Sequence, residues 1–296
     1  MKRSHMPLSI ALILTYVLTG MNTSAHAGDL TLLWEKAGFN NPESVVYDKA
    51  ANVLYVSNVN GSAMDKDGNG YISRISLEGE MIDAEWITGL NAPKGLALYG
   101  KKLYVADIDT LVEIDIASAS IKKRYPVLDA KFLNDVTAAK NGDIYVSDMM
   151  LNRIHRLKDN RFEIWLETPA LESPNGLLAE GDHLVVGTWG VMTEGFSTNI
   201  PGHLKTVSIK DKTINSMGDG TPIGNLDGVE EDASGGYYVT DWMAGKLLHV
   251  DASGKSKILL TLNQGSADHE FIKEKNMVLI PMMKDNKLLA YKVLQE

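Results

Sequence analysis

Polar residues able to do chemistry recur along the 296-residue chain at Glu43, Lys94, Asn134, Asn175 and Asp227, and then at Asp268 or His269. Successive members from Glu43 to Asp227 lie 51, 40, 41 and 52 residues apart, and Asp268 follows Asp227 by 41. Each opens a similar motif: P-E-S-V at Pro42 to Val45, P-K-G-L at Pro93 to Leu96, L-N-D-V at Leu133 to Val136, P-N-G-L at Pro174 to Leu177 and L-D-G-V at Leu226 to Val229. Glu43, Asn134, Asn175 and Asp227 offer two carboxylates and two side-chain amides. Brought together, that oxygen set suits a hard divalent cation, Ca²⁺ first among them, with waters completing about six to eight ligands. Any one of the four alone would be read as a polar strand cap. Four at one repeat position favour a ligand set, because a cap need not be Glu or Asn.

The elements that must position these residues can be read from the same repeat. Each motif starts an apolar strand, and a second strand returns after a turn: LYVSN (Leu54 to Asn58), LYVAD (Leu103 to Asp107), IYVSD (Ile144 to Asp148), LVVGT (Leu184 to Thr188), YYVTD (Tyr237 to Asp241) and VLIPM (Val278 to Met282). Units of about 40 to 50 residues with short alternating strands are the signature of propeller blades. The expected fold is all-β, a six-bladed β-propeller with four-stranded blades. The first strand of each blade lines the tunnel, so residues far apart in sequence share one ring. The sixth member is open by one residue: aligning Phe271 with Val229 selects His269, and simple spacing selects Asp268. The strand-like Asp29 to Trp34 is expected to complete the last blade and close the ring, which removes an exposed sheet edge.

The residues ending the second strands, Asn58, Asp107, Asp148, Thr188 and Asp241, form an outer polar ring. They are read as groups that hold the strand starts by hydrogen bonds and orient the inner ring without touching the ion. Two loops on the same face are long, Val59 to Gly70 and Gly190 to Gly202, and are expected to wall the mouth. Asp65 to Gly70 (DKDGNG) imitates the start of an EF-hand loop, but its twelfth position is Ser76 where Glu is required. A second cation loop and a tight Asx-rich turn are the alternatives, and that mismatch favours the turn. Lys94 either pairs with Asp268, fills substrate space or binds an anionic substrate. Met149, Trp189 and Trp242 are candidates for an apolar substrate wall or for blade packing.

Residues 1–27 read as a signal peptide, with Lys2 and Arg3, an apolar run from Pro7 to Met21, and Ala25-His26-Ala27 as the cleavage signature. The propeller domain then spans 28–296, in the periplasm or secreted, with no membrane association after cleavage. The absence of cysteine excludes disulfides, a thiolate site and a lipoprotein anchor. A net charge of −9 argues against nucleic acid as partner, leaving a small-molecule substrate or ligand, and a monomer is expected.

From Pro42 to the C-terminus the chain resembles the calcium-dependent propeller family of gluconolactonase and senescence marker protein (regucalcin), and more distantly diisopropyl fluorophosphatase and paraoxonase. The resemblance rests on P-E-S-V-V-Y-D at Pro42 to Asp48, L-N-D-V, S-P-N-G-L at Ser173 to Leu177 and L-D-G-V. It implies Glu43, Asn175 and Asp227 as direct Ca²⁺ ligands, another divalent cation being the alternative, and Asn134 as a ligand or a substrate- and water-holding group. It also implies hydrolysis of a lactone or related ester, with Asp227 as general base or nucleophile. His269 is a candidate proton shuttle, and Lys94, Asn134, Asp268 and Trp189 are candidate substrate contacts. A non-catalytic ligand- or partner-binding propeller with a structural ion is the competing function.

Overall fold

In the computed structural model, which describes Met1, residues 30–232 and residues 234–294, six four-stranded antiparallel sheets are arranged in a ring. The signal-peptide expectation, made for residues 1–27, lies outside the described residues apart from Met1. Blade one is built of Pro42–Asp48, Val53–Asn58, Gly70–Ser76 and Met81–Leu90. Blades two, three, four and five open on Pro93–Tyr99, Leu133–Ala138, Pro174–Glu180 and Leu226–Glu231. Blade six is ordered from Glu270–Ile272 through Met277–Met282 and Lys287–Val293 to Leu30–Ala37. The N-terminal strand pairs antiparallel with Lys287–Val293, so it does complete the last blade.

The core lies between blades rather than inside one layer. Each blade presents apolar side chains on both faces, and each pair of neighbours shares a buried cluster. Between blades one and two, for example, Tyr55 stacks on Trp86 with ring centroids 4.5 Å apart, beside buried Leu96, Val105 and Ile114. This requires first and second strands apolar on both faces, hence near-continuous runs such as LYVAD. The fourth strands are more exposed, as in Ser120–Pro126, where Lys122, Lys123 and Arg124 all face solvent.

One backbone irregularity positions the ring. In blades one to five the pairing of first and second strands slips by one residue just inside the strand start, between Pro42 and Val45, Pro93 and Leu96, Leu133 and Val136, Pro174 and Leu177, and Leu226 and Val229. Such bulges bend a strand and re-aim a side chain. Glu43, Lys94, Asn134, Asn175 and Asp227 each occupy the first bulged position. The next residue lies so close against the adjacent blade that there is little room: a Cβ on Gly176 would stand 1.8 Å from the Asp227 carbonyl oxygen. A hydroxyl from the second strand then ties the bulge down. Ser147 Oγ accepts from Asp135 N at 2.9 Å and donates to Asn175 O of the next blade at 2.8 Å. Thr240 Oγ1 does the same between Gly228 N and Ala267 O, at 2.8 and 2.9 Å.

Candidate metal and substrate site

At one end of the tunnel a cavity of about 310 Å³ has Glu43, Lys94, Asn134, Asn175 and Asp227 among its lining residues. Five blades therefore bring together the residues that the repeat selected. All five are buried, between 1% and 5% exposed. The sixth blade corrects both readings of its register. Ser266 pairs with Met282 just as Leu226 pairs with Asp241, and the ladder slips by one before Glu270 pairs with Leu279. Ala267 is thus the counterpart of Asp227, and the ring has no polar side chain there. Asp268 is one step deeper, bridged in parallel to Ser44; its backbone N–H donates to Glu43 O at 2.9 Å. Ser44 Oγ donates to Asp268 Oδ2 at 2.5 Å.

His269 falls where the other blades place Val45, Leu96, Val136, Leu177 and Val229, in the layer that packs blade on blade. That is why it is 1% exposed with no hydrogen-bond partner at either ring nitrogen, and why burial pushes its pKa down to about 3. Neither Asp268 nor His269 lines the mouth cavity. Both border a second cavity of about 150 Å³ inside the tunnel, with Asp135, Glu230 and Glu270.

The electrostatics of the mouth ring ask for positive charge. Burial first, then Asp227 and Asp268, hold the Glu43 carboxyl well above its usual range, with Lys94 opposing. Burial and Asp268 raise Asp227 likewise. Glu43 Oε2 and Asn134 Oδ1 are buried acceptors with no hydrogen-bond partner. Asn134 Nδ2 donates to Asn175 Oδ1, and Asn175 Nδ2 donates to Leu226 O at 3.0 Å. The amide oxygen of Asn134 is thereby turned away from Asn175. Among the described residues no group of three or more His, Cys, Asp or Glu is placed to hold a metal ion. The set that fits a hard cation therefore depends on its two amides as much as on its two carboxylates.

Lys94 does not pair with Asp268. Its ammonium donates to Ala92 O at 2.9 Å and lies over the Phe132 ring, 4.6 Å from the centroid. Burial lowers its pKa to about 8 against the attraction of Glu43 and Asp107. The outer polar ring behaves as read from sequence in four blades. Asn58 Oδ1 accepts from Asn40 N at 3.0 Å, Asp107 from Ala92 N at 2.8 Å, Asp148 from Lys131 N at 3.0 Å and Asp241 from Asn225 N at 3.3 Å. Thr188 differs, bonding both backbone groups of His203 at 3.0 Å.

The walls come from loops. Both long loops reach the cavity, through Ala63 and Phe196, and Met149, Trp189 and Trp242 line it too. Sequence reasoning did not single out Phe196, Met283 or Lys284, which lie in segments without the repeat. The Asp65 to Gly70 segment is an Asx turn: Asn69 N donates to Asp67 Oδ1 at 3.2 Å, and Lys66 pairs with Asp109.

No family model matches the sequence, and no curated protein does. Solved structures do match. A streptogramin B lyase superposes with a TM-score of 0.64 at 11% identity, over 91% of this chain and 100% of that one. A gluconolactonase from Xanthomonas campestris gives 0.65 at 16%, over 91% of each chain. A catalytically inactive histidine-to-alanine variant of virginiamycin B lyase from Staphylococcus aureus, with quinupristin, gives 0.59 at 14%, over 90% of this chain and 100% of that one. At these identities the likeness establishes the fold alone.

Proposed function

We propose that the chain is an exported, divalent-cation-dependent hydrolase of lactones or related esters, with Ca²⁺ the cation its donors suit best. The observation that carries this reading is the pair of orphaned acceptors, Glu43 Oε2 and Asn134 Oδ1, beside two mutually repelling buried carboxylates at the floor of a cavity. Glu43, Asn134, Asn175 and Asp227 would hold the ion. Ca²⁺ bound there would polarise a carbonyl oxygen and offset developing oxyanion charge.

The chain's own residues do the rest. The Asn134–Asn175–Leu226 hydrogen bonds fix the two amides, so the acceptors are set before a ligand arrives. Asp227 lines the cavity from blade five and would accept the proton of an attacking water as general base, or attack directly as nucleophile. Trp189, Phe196 and Trp242 keep bulk water from the floor. Lyase chemistry of the histidine-dependent kind finds no support, because no histidine is among the residues lining this cavity.

A second reading has one observation in its favour. Lys94 sets a buried ammonium in the same ring, as a binding protein with a structural ion could tolerate. The discriminating experiment is metal analysis of the purified chain together with turnover of a lactone and aryl-ester panel, with and without chelator. Turnover lost on chelation and in Asp227→Ala is expected. Turnover indifferent to both would overturn the hydrolase reading, and stability lost on chelation with no turnover would favour the binding protein.

A further inference from the structure

The floor of the mouth cavity is polar and its walls are not. Above the ring stand Phe132, Met149, Trp189, Phe196, Trp242 and Met283. The aromatic members interlock: Phe132 and Phe196 meet edge to face at 5.3 Å and Trp189 and Phe196 at 6.3 Å, while Trp189 and Trp242 lie tilted at 6.1 Å. Most of the wall's polar groups are already engaged. Trp189 Nε1 donates to Phe196 O at 2.8 Å. Asn41 Nδ2 donates to Met283 O at 3.3 Å and Asn41 Oδ1 accepts from Gly61 N at 3.1 Å. Lys284 Nζ donates to Gln264 at 2.6 Å and covers the Trp242 ring at 5.0 Å.

The wall is also built to stay in place. A short hairpin, Gly190–Met192 with Thr198–Pro201, carries Phe196 at its turn. Asn225 Nδ2 ties both its ends, donating to Trp189 O at 2.7 Å and Thr198 Oγ1 at 2.9 Å. Gly190 has φ +102°, and a Cβ there would stand 2.4 Å from Ile200 O, so only glycine lets the hairpin close down at this point.

From this we infer that the site takes an ester or lactone whose body is an alkyl or aryl group free of hydroxyls, with Phe196 as the element that selects it. The inference rests on the reading above for the reacting group and on the walls alone for the body. Against the walls, polyhydroxylated rings would bury hydroxyls on surface that is mostly apolar or already bonded, and each one left unpaired there would cost about tenfold in affinity. An alkyl or aryl body instead covers the aromatic surface and expels its water.

The test uses two six-membered lactones of opposite character, δ-decalactone and glucono-δ-lactone. Binding is read from tryptophan emission in the Asp227→Asn chain, and ring opening by pH-stat in the unaltered chain. δ-Decalactone is expected to quench emission and to bind at least about tenfold tighter than glucono-δ-lactone. Phe196→Ala should lower that preference at least about fivefold while Phe196→Leu, which keeps the apolar area, restores it. Melting temperatures of both variants should match the parent, since Phe196 is partly exposed at 38%. Equal or tighter binding of glucono-δ-lactone, binding of neither, or an unchanged preference in Phe196→Ala would overturn the inference. Retained preference with neither ring opened would uphold it and sink the hydrolase reading instead.

Discussion

Replacing Glu43 by Gln keeps the shape of the side chain and removes one of the two carboxylates that the mouth cavity sets against each other. Without a cation, burial together with Asp227 and Asp268 works against ionised Glu43. The Glu43→Gln chain should therefore melt no lower than the parent in chelator, and higher if the repulsion dominates. With Ca²⁺ the order reverses. A cation at about a hundred times its Kd stabilises the parent by about 2.7 kcal/mol, and about 2–4 °C per kcal/mol for a chain of this size makes that about 5–11 °C. Losing a charged ligand with an otherwise unpartnered oxygen, Glu43 Oε2, should weaken binding about a hundredfold. At the same Ca²⁺ concentration the variant then gains only about 0.4 kcal/mol, near 1 °C. Calorimetry in chelator and across a Ca²⁺ titration reads both quantities. A variant that melts lower in chelator yet keeps the full Ca²⁺ shift would refute the reasoning, as would a parent with no shift.

Two further predictions concern the frame around the site. Ser147→Ala strands a buried N–H of Asp135 and a buried C=O of Asn175, so urea denaturation should show a loss of about 1–3 kcal/mol with weaker Ca²⁺ binding. A smaller loss with unchanged binding would mean that the bulge holds without its hydroxyl. His155 is fully buried, neither ring nitrogen has a hydrogen-bond partner, and burial lowers its pKa to about 4. Because the folded pKa is below the unfolded value near 6.5, its contribution to stability is intact above that value and falls as pH drops toward 4. At pH 5 this amounts to about 2 kcal/mol, or about 4–8 °C. His155→Leu should lose that acid-sensitive component relative to the parent, while opposing effects of raised carboxylates such as Glu270 cancel in the comparison. Equal slopes of melting temperature against pH in parent and variant would count against it.

The sequence by itself determined the propeller and five of its six ring positions. A blade cannot bury both faces alone, so its neighbours must repeat the same apolar strands at the same period, and that period is visible in the chain. The polar residue that opens each first strand is visible for the same reason, as are the second-strand caps Asn58, Asp107, Asp148 and Asp241. Only the tertiary structure decided the sixth position. Its motif, Ala267-Asp268-His269-Glu270, offers polar residues on either side of the true register, and the choice is made by bonds to other strands: Ser266 against Met282, and Asp268 N on Glu43 O. Those bonds put Ala267 in the ring and send His269 into the apolar layer between blades. The walls were legible only in part: the two long loops and Met149, Trp189 and Trp242 were, but Phe196, Met283 and Lys284 were not singled out, because they lie in connections that carry no repeat. Where such loops end up is set by what they pack against: a glycine turn at Gly190, the amide of Asn225 and the rings of Phe132 and Trp189.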